Sequence, residues 1–233
     1  MITPARVDRD NLVEHIDGQV DNFGMSLLPE HLADSEEVRL LAGFCANQYD
    51  SEGRGLFEFR HNPETQHHTP SENSLHLSWK TVQASGNTEA FEAMRSLTQE
   101  MLTYQRTVRP EITDYPAQFP FACAYIRAYP PRKGHIGMHV DINYGARSDA
   151  YLLTLTEGRR TTAKLDNGRK LTRIARIGDV IIAPEITMVD ARQDLTEHEA
   201  SILPEVDEPS FVLAAFRIRD RSAGFRVDQI VTD

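Results

Sequence analysis

The apolar positions along the chain fall into two textures. Before residue 115 they recur at helical spacing. Val38, Leu41 and Cys45 follow the polar start Asp34-Ser35-Glu36-Glu37, and Phe91, Met94, Leu97 and Met101 follow Asn87-Thr88. Residues three and four apart share one side of a helix, so each set predicts an amphipathic helix. Asp34 followed three residues later by Glu37 reads as a capping box, and the second helix is expected to stop before Pro110. Residues 61–74 (HNPETQHHTPSENS) are polar and contain proline, which predicts an exposed loop holding His61, His67 and His68; the nearby His76 is grouped with them. Such a loop is solvated, or it covers the mouth of the core and touches substrate. Trp79, in the alternating run LHLSWK, is expected in the core.

After Pro116 the period shortens. FACAYIRAY, AYLLTLT, TTAKL, LTRIARI, DVIIAP, ITMV, EASIL and FVLAAFRI are short β-rich runs divided by turn sequences such as PPRKG, EGRR, DNG and PEVDEP. No helical crossover fits between them, which excludes a parallel α/β sheet. The expected architecture is α+β: a double-stranded β-helix, that is a jelly-roll or cupin-like barrel, with N-terminal helices covering one face. The 233 residues carry no repeat or long linker and suit a single domain. Residues 1–115 would form its mixed helical and strand part, and residues 116–233 the β-barrel core.

Composition removes several function classes. With 35 Asp+Glu against 25 Lys+Arg the net charge is −10, which argues against nucleic acid as a partner because phosphate binding needs clustered cations. No apolar run approaches the roughly 18–20 residues of a membrane helix, and residues 1–15 lack the apolar stretch of an export signal. The two cysteines, Cys45 and Cys123, sit in apolar surroundings (GFCAN, PFACAYI) and are expected to be buried and reduced, which favours the cytoplasm. A small-molecule substrate is the partner left. The oligomeric state has no signature in the sequence.

Chemistry concentrates in Tyr125-Ile-Arg127-Ala-Tyr129-Pro-Pro-Arg-Lys-Gly134-His-Ile136-Gly-Met-His139-Val-Asp141. Placed on a strand, His139 and Asp141 point to one side. An imidazole nitrogen and a carboxylate oxygen suit divalent iron, and a third ligand from a neighbouring strand would complete a facial triad with open positions. The alternative is a strand-end histidine beside a solvated turn aspartate.

This segment resembles the iron(II)- and 2-oxoglutarate-dependent dioxygenases, in which a strand aromatic precedes a Pro/Gly turn, an apolar residue and His-x-Asp. Here these are Tyr129, Pro130 to Gly134, Ile136 and His139-Val140-Asp141. Downstream, a hairpin over residues 150–166, the Gly178-Asp179-Val-Ile-Ile-Ala-Pro184 strand and a closing hairpin ending in FVLAAFRI continue the likeness, which spans residues 119–220. It implies a hydroxylase-type oxygenase that uses Fe(2+), O2 and 2-oxoglutarate as co-substrate and releases succinate and CO2. Its metal ligands would be His139, Asp141 and His198, the last histidine of the chain, reached across the insertion DARQDLTE; Asp190 is an alternative oxygen ligand. Halogenating relatives replace the carboxylate with a small residue, so Asp141 favours hydroxylation.

The family's co-substrate carboxylate generally meets an arginine near the start of the last barrel strand, where this chain has Ser210. Arg217 and Arg219, later on the same strand, are the candidates for an inward-facing cation, Arg217 being favoured as nearer the centre of the strand, with Phe216 and Ile218 pointing the other way. An inward arginine needs an anion to offset its burial. Tyr129 could donate a hydrogen bond to the co-substrate or be a core residue. Arg127, on the same side, could bind a substrate carboxylate or pair with an acidic neighbour. The substrate expected is a small polar or amino-acid-like metabolite. A cupin-like metal enzyme without 2-oxoglutarate would leave both late arginines pointing outward. A non-catalytic binding module would hold His198 far from His139.

Overall fold

The computed structural model describes residues 26–28, 32–49, 55–59, 72–104, 119–139, 150–164, 170–183, 197–218 and 230–231. Helix α1 (Glu36–Gln48) is capped by Ser35, whose hydroxyl accepts the Val38 N–H and donates to the Glu37 carboxylate. The cap therefore falls one residue after the expected Asp34, because Ser35 is the residue with extended backbone just before the first turn. Asp34 instead offers its carbonyl to Arg39. A short helix, α2 (Trp79–Ala84), is capped by Ser78, and buried Trp79 packs on Phe91 with ring centroids 4.5 Å apart. α3 (Thr88–Thr103) starts at Asn87, whose Oδ1 accepts the Ala90 N–H, and ends ahead of Pro110.

The strands form two antiparallel sheets. The larger has the order β1 (Ser26–Leu28), β10 (Val180–Ala183), β7 (Ala150–Thr154), β12 (Ser210–Ile218), β5 (Phe121–Tyr129), β4 (Leu75–Ser78) and β2 (Glu58–Phe59), with β13 (Ile230–Val231) also on β5. The smaller has the order β3 (Glu72–Asn73), β6 (His135–His139), β11 (Glu197–Ile202), β8 (Arg159–Lys164) and β9 (Lys170–Ile174). From β5 onward the chain shuttles between the sheets, an order consistent with a double-stranded β-helix.

The shuttling corrects two local expectations. β7 and β8 lie in different sheets, so residues 150–166 are not a hairpin; β8 pairs with β9 and β11 instead. β11 and β12 are likewise in different sheets. Turn residues show where a chain reverses but not which neighbour it pairs with. The end of the predicted 61–74 loop is also strand, since residues 72–73 form β3. His61, His67, His68 and the ITMV run lie outside the described residues.

The larger sheet is buried on both sides. Ala124, Ile126, Tyr151, Leu153, Leu213 and Ala215 pack with Val38, Leu41, Met94 and Leu97 of the helices. On the other side, Tyr129 and Val212 pack with Ile136, Ala200 and Ile202 of the smaller sheet, closing an apolar layer between the sheets. The start of α1 is tied to the turn before β10, where the Leu32 N–H donates to the Gly178 carbonyl at 3.2 Å. Gly178 has φ +82°, and a side chain there would collide with the backbone of Leu32 and Ala33. Among the described residues no helix is long and apolar enough to cross a membrane.

Candidate functional site

His139 ends β6 and pairs directly with His198 on β11. Ile136 pairs with Ala200, so three steps on β6 match two on β11. A regular strand would turn residues 136 and 139 to opposite sides; the bulge restores His139 to the side of His198. The two rings lie 4.4 Å apart between centroids, inclined at 51°. His198 is 8% exposed and His139 half-buried.

The His139 Nδ1 lies 2.7 Å from the Gly137 carbonyl. A carbonyl oxygen only accepts, so Nδ1 carries a proton and Nε2 is the nitrogen that would face a metal. A ligating imidazole is held in this way, its ring oriented by a backbone carbonyl on the other nitrogen. Asp141, Asp190 and Arg219 lie outside the described residues, and among the described residues no third His, Cys, Asp or Glu joins the two histidines in a metal-sized group.

The sequence gives little hint of the site's other principal residue, Arg159. It sits in EGRR, which reads as a turn, yet it opens β8, pairs with Ile202 and is only 1% exposed. On β11, Ile202 and His198 are four residues apart on one side, so Arg159 approaches the same inter-sheet space as the histidines. Its Nη1 donates to Thr161 Oγ1 and its Nη2 to Thr154 Oγ1, both at 3.1 Å. Its Cζ lies 5.8 Å from the Tyr129 ring centre. Among the described residues its buried Nε–H has no acceptor. Burial pulls the guanidinium below its ordinary pKa, the Tyr129 phenol counters that, nearby Arg127 adds to it, and Asp179 opposes it. An arriving anion would relieve the same cost.

Tyr129 is buried at the end of β5 and paired with Ser210 on β12. Ser210 donates to the Thr156 carbonyl and supplies no cation. Arg217, the favoured co-substrate ligand by sequence, pairs with Ala122, seven positions from the Ser210–Tyr129 pair, or roughly 24 Å along the strand. It alternates with Leu213 and Ala215 on the helix side of the sheet, while Phe216 and Ile218 take the other side. The expectation that Arg217 faces inward is thus corrected. Both sides of β12 are apolar because both are covered, so alternation alone could not say which side was inner. Arg127 does share the inner side with Tyr129, where its Nε donates to His76 Nε2 and its Nη2 to Tyr125 Oη, each at 3.3 Å. His76, grouped by sequence with the loop histidines, is a buried residue of β4.

No family model matches the chain, and no curated protein matches it in sequence. Solved structures do match its fold. A Pseudomonas putida prolyl-4-hydroxylase aligns over 90% of this chain and 98% of its own at a TM-score of 0.57 and 13% identity. The alpha-ketoglutarate-dependent carbocyclase SnoK from nogalamycin biosynthesis aligns over 100% and 96%, with a TM-score of 0.58 and 10% identity. The epimerase SnoN, in complex with Fe3+, alpha-ketoglutarate and nogalamycin RO, aligns over 91% and 84%, with a TM-score of 0.56 and 12% identity. The chain therefore has the fold of the iron- and 2-oxoglutarate-dependent oxygenases.

Proposed function

We propose that the chain is an iron(II)- and 2-oxoglutarate-dependent oxygenase of hydroxylase type, acting on a small polar or amino-acid-like metabolite and releasing succinate and CO2. The observation that carries this reading is the conjunction, on one inter-sheet space, of the His139–His198 pair with a buried guanidinium whose Nε–H lacks an acceptor among the described residues. The donor set fits the cofactors. Two imidazoles suit ferrous iron, with Asp141 as the proposed third ligand. Arg159 suits the far carboxylate of 2-oxoglutarate, to which a planar fork donates two parallel hydrogen bonds.

In this reading Arg159 takes the part that sequence resemblance gave to Arg217. Tyr129, beside it, would donate its phenol proton to the same carboxylate, while Thr154 and Thr161 hold the guanidinium in place. Bound iron with 2-oxoglutarate supplies the oxygen chemistry; the protein's part is to orient the ligands and keep the inter-sheet space dry. The Gly137 carbonyl fixes the His139 tautomer. The apolar neighbours Ile136, Ala200, Ile202 and Val212 exclude water from around Tyr129. A binding module would separate His139 from His198, whereas the two pair directly. Arg217 on the helix side is what a metal enzyme without 2-oxoglutarate would show, but the buried guanidinium of Arg159 beside Tyr129 is not, and it favours the 2-oxoglutarate reading. The free buried thiols of Cys45 and Cys123 suit a reducing compartment, and the cytoplasm is the proposed location.

The test is succinate formation from 2-oxoglutarate under air with ferrous iron. Turnover that requires both and is abolished in His139→Ala and His198→Ala supports the proposal. Succinate formed equally by the variants would refute it.

A further inference from the structure

A second concave site lies at the end of the sandwich. A cleft of about 720 Å³ opens between the end of α1 and the turns that lead into β8 and β12. That volume falls in the range of small-molecule sites. None of His139, His198 and Arg159 lines it. Its floor is aromatic: Phe211 is 1% exposed and meets Tyr49 edge-on, with ring centroids 5.9 Å apart. Its wall leaves apolar surface in water. Ile174, at the end of the edge strand β9, is 57% exposed, the most exposed large apolar side chain among the described residues. A lone exposed isoleucine is ordinary, but this one joins Leu203, Val206 and Pro209 around a single concavity.

The polar part of the lining is acidic. Glu157, in the turn before β8, and Glu208, just before β12, both border the cleft. Among the described residues neither has a hydrogen-bond or ion-pair partner. Asp207 differs from its neighbour Glu208, being paired with Arg132. Arg176 also lines the cleft and has partners of its own, its N–H donating to the Asp179 carboxylate. Uncommitted carboxylates beside aromatic and aliphatic surface complement a positive charge carried on an apolar body. They repel a carboxylate or a phosphate. In a chain of net charge −10 they repel a second copy as well.

We propose that this cleft binds a small organic cation, a primary ammonium on an aliphatic or aromatic body. The ammonium meets Glu157 and Glu208, and the body covers Phe211, Tyr49 and Ile174. The site is separate from the oxygenase site and does not depend on that reading.

The test is calorimetric titration of the full chain with phenethylamine and with hexylamine. Each is run beside its neutral alcohol (phenethyl alcohol, hexanol) and a matched carboxylate (hydrocinnamate, heptanoate). At about pH 7, where a primary amine is charged, at least one amine should bind with a Kd below about 1 mM. Its alcohol should bind about tenfold more weakly, and its carboxylate more weakly still. Glu157→Gln combined with Glu208→Gln should weaken the amine about tenfold and leave the alcohol unchanged. Ile174→Ser should weaken amine and alcohol alike. All three positions are exposed, so none of these changes disturbs the core. Anaerobic addition of ferrous iron and 2-oxoglutarate should leave the amine's affinity unaltered. Equal binding of amine and alcohol, tighter binding of the carboxylate, an unchanged affinity in the double Gln variant, or no binding by either amine would each overturn the proposal. So would displacement of the amine by iron and 2-oxoglutarate, which would place it between the sheets.

Discussion

Arg159 reaches from the smaller sheet to place its guanidinium carbon 5.8 Å from the centre of the Tyr129 ring on the larger one. The contact lies beside the apolar cluster of Tyr129, Ile136, Ala200, Ile202 and Val212. A charge there is costly to the protein standing alone, since removing an ion from water costs several kcal/mol and two threonine hydroxyls repay only part. Arg159→Met should therefore leave the ligand-free protein as stable as before, or more stable by about 1 kcal/mol. The same change should weaken 2-oxoglutarate binding by about 100-fold. Thermal melts of the iron-loaded protein with and without 2-oxoglutarate check both: the co-substrate should raise the midpoint of the parent and not of the variant. A destabilised variant that still responds to 2-oxoglutarate would contradict the role given to Arg159.

Two glycines separate effects on the site from effects on the fold. A Cβ at Gly134 would stand 2.6 Å from the Tyr129 Cβ, and the Gly134 carbonyl also accepts the Ile202 N–H. Gly134→Ala should lower stability by about 2 kcal/mol and also weaken 2-oxoglutarate, because Tyr129 must shift. Gly86→Ala meets no neighbouring atom within 4 Å but forces an alanine to φ +75° in the turn between α2 and α3, on the helix side of the larger sheet. It should cost about 1 kcal/mol in stability while leaving co-substrate affinity, measured below the melting transition, unchanged.

Acid should loosen the start of α1. The Glu37 carboxyl is held below its ordinary 4.5 by its own backbone N–H first and by the Ser35 hydroxyl second. A depressed carboxylate stabilises the fold above its unfolded pKa, and that contribution is lost as pH falls through the folded value. The stability gap between the parent and Glu37→Gln should be constant above about pH 5.5 and shrink below 4.5. Its size at this near-surface position should be no more than about 0.5 kcal/mol. Urea melts across that range measure it, and a gap that widens in acid would reverse the sign.

Cys45 lies in the helix core, where burial pushes its thiol pKa up. Cys123 is buried on the other side of the larger sheet, and both are free thiols. Thiol reagents at about pH 8 should label neither residue in the native protein and both after unfolding. Prompt native-state labelling of either would contradict this packing.

Helices α1 and α3 and the strands after residue 116 were legible in the sequence, through Phe91, Met94, Leu97 and Met101 for α3 and the continuous run 121–129 for β5, whereas α2, which opens at Trp79 inside the alternating run LHLSWK, was not. Pairing was harder to read. EGRR between β7 and β8 looks like a hairpin turn, yet it carries the chain from one sheet to the other. At the site, the His-x-Asp spacing marked His139, and the absence of a later histidine marked His198. Arg159 escaped because RRTTAK alternates Arg-Thr-Ala with Arg-Thr-Lys, two patterns too alike to reveal which is buried. Arg217 misled for the opposite reason, since β12 is apolar on both sides. The bulge that sets His139 opposite His198 leaves no mark in HIGMH.

The most direct test of the proposed site is spectroscopic. Ferrous iron and then 2-oxoglutarate are added anaerobically to the ligand-free chain, to His198→Ala and to Arg159→Met, and the weak visible charge-transfer band of the chelate is recorded. The expected result is a band in the parent, none in His198→Ala, and in Arg159→Met a band that appears only at about 100-fold higher 2-oxoglutarate. A parent protein that binds iron but forms no band, or a band indifferent to both substitutions, would contradict a metal and 2-oxoglutarate site between the sheets.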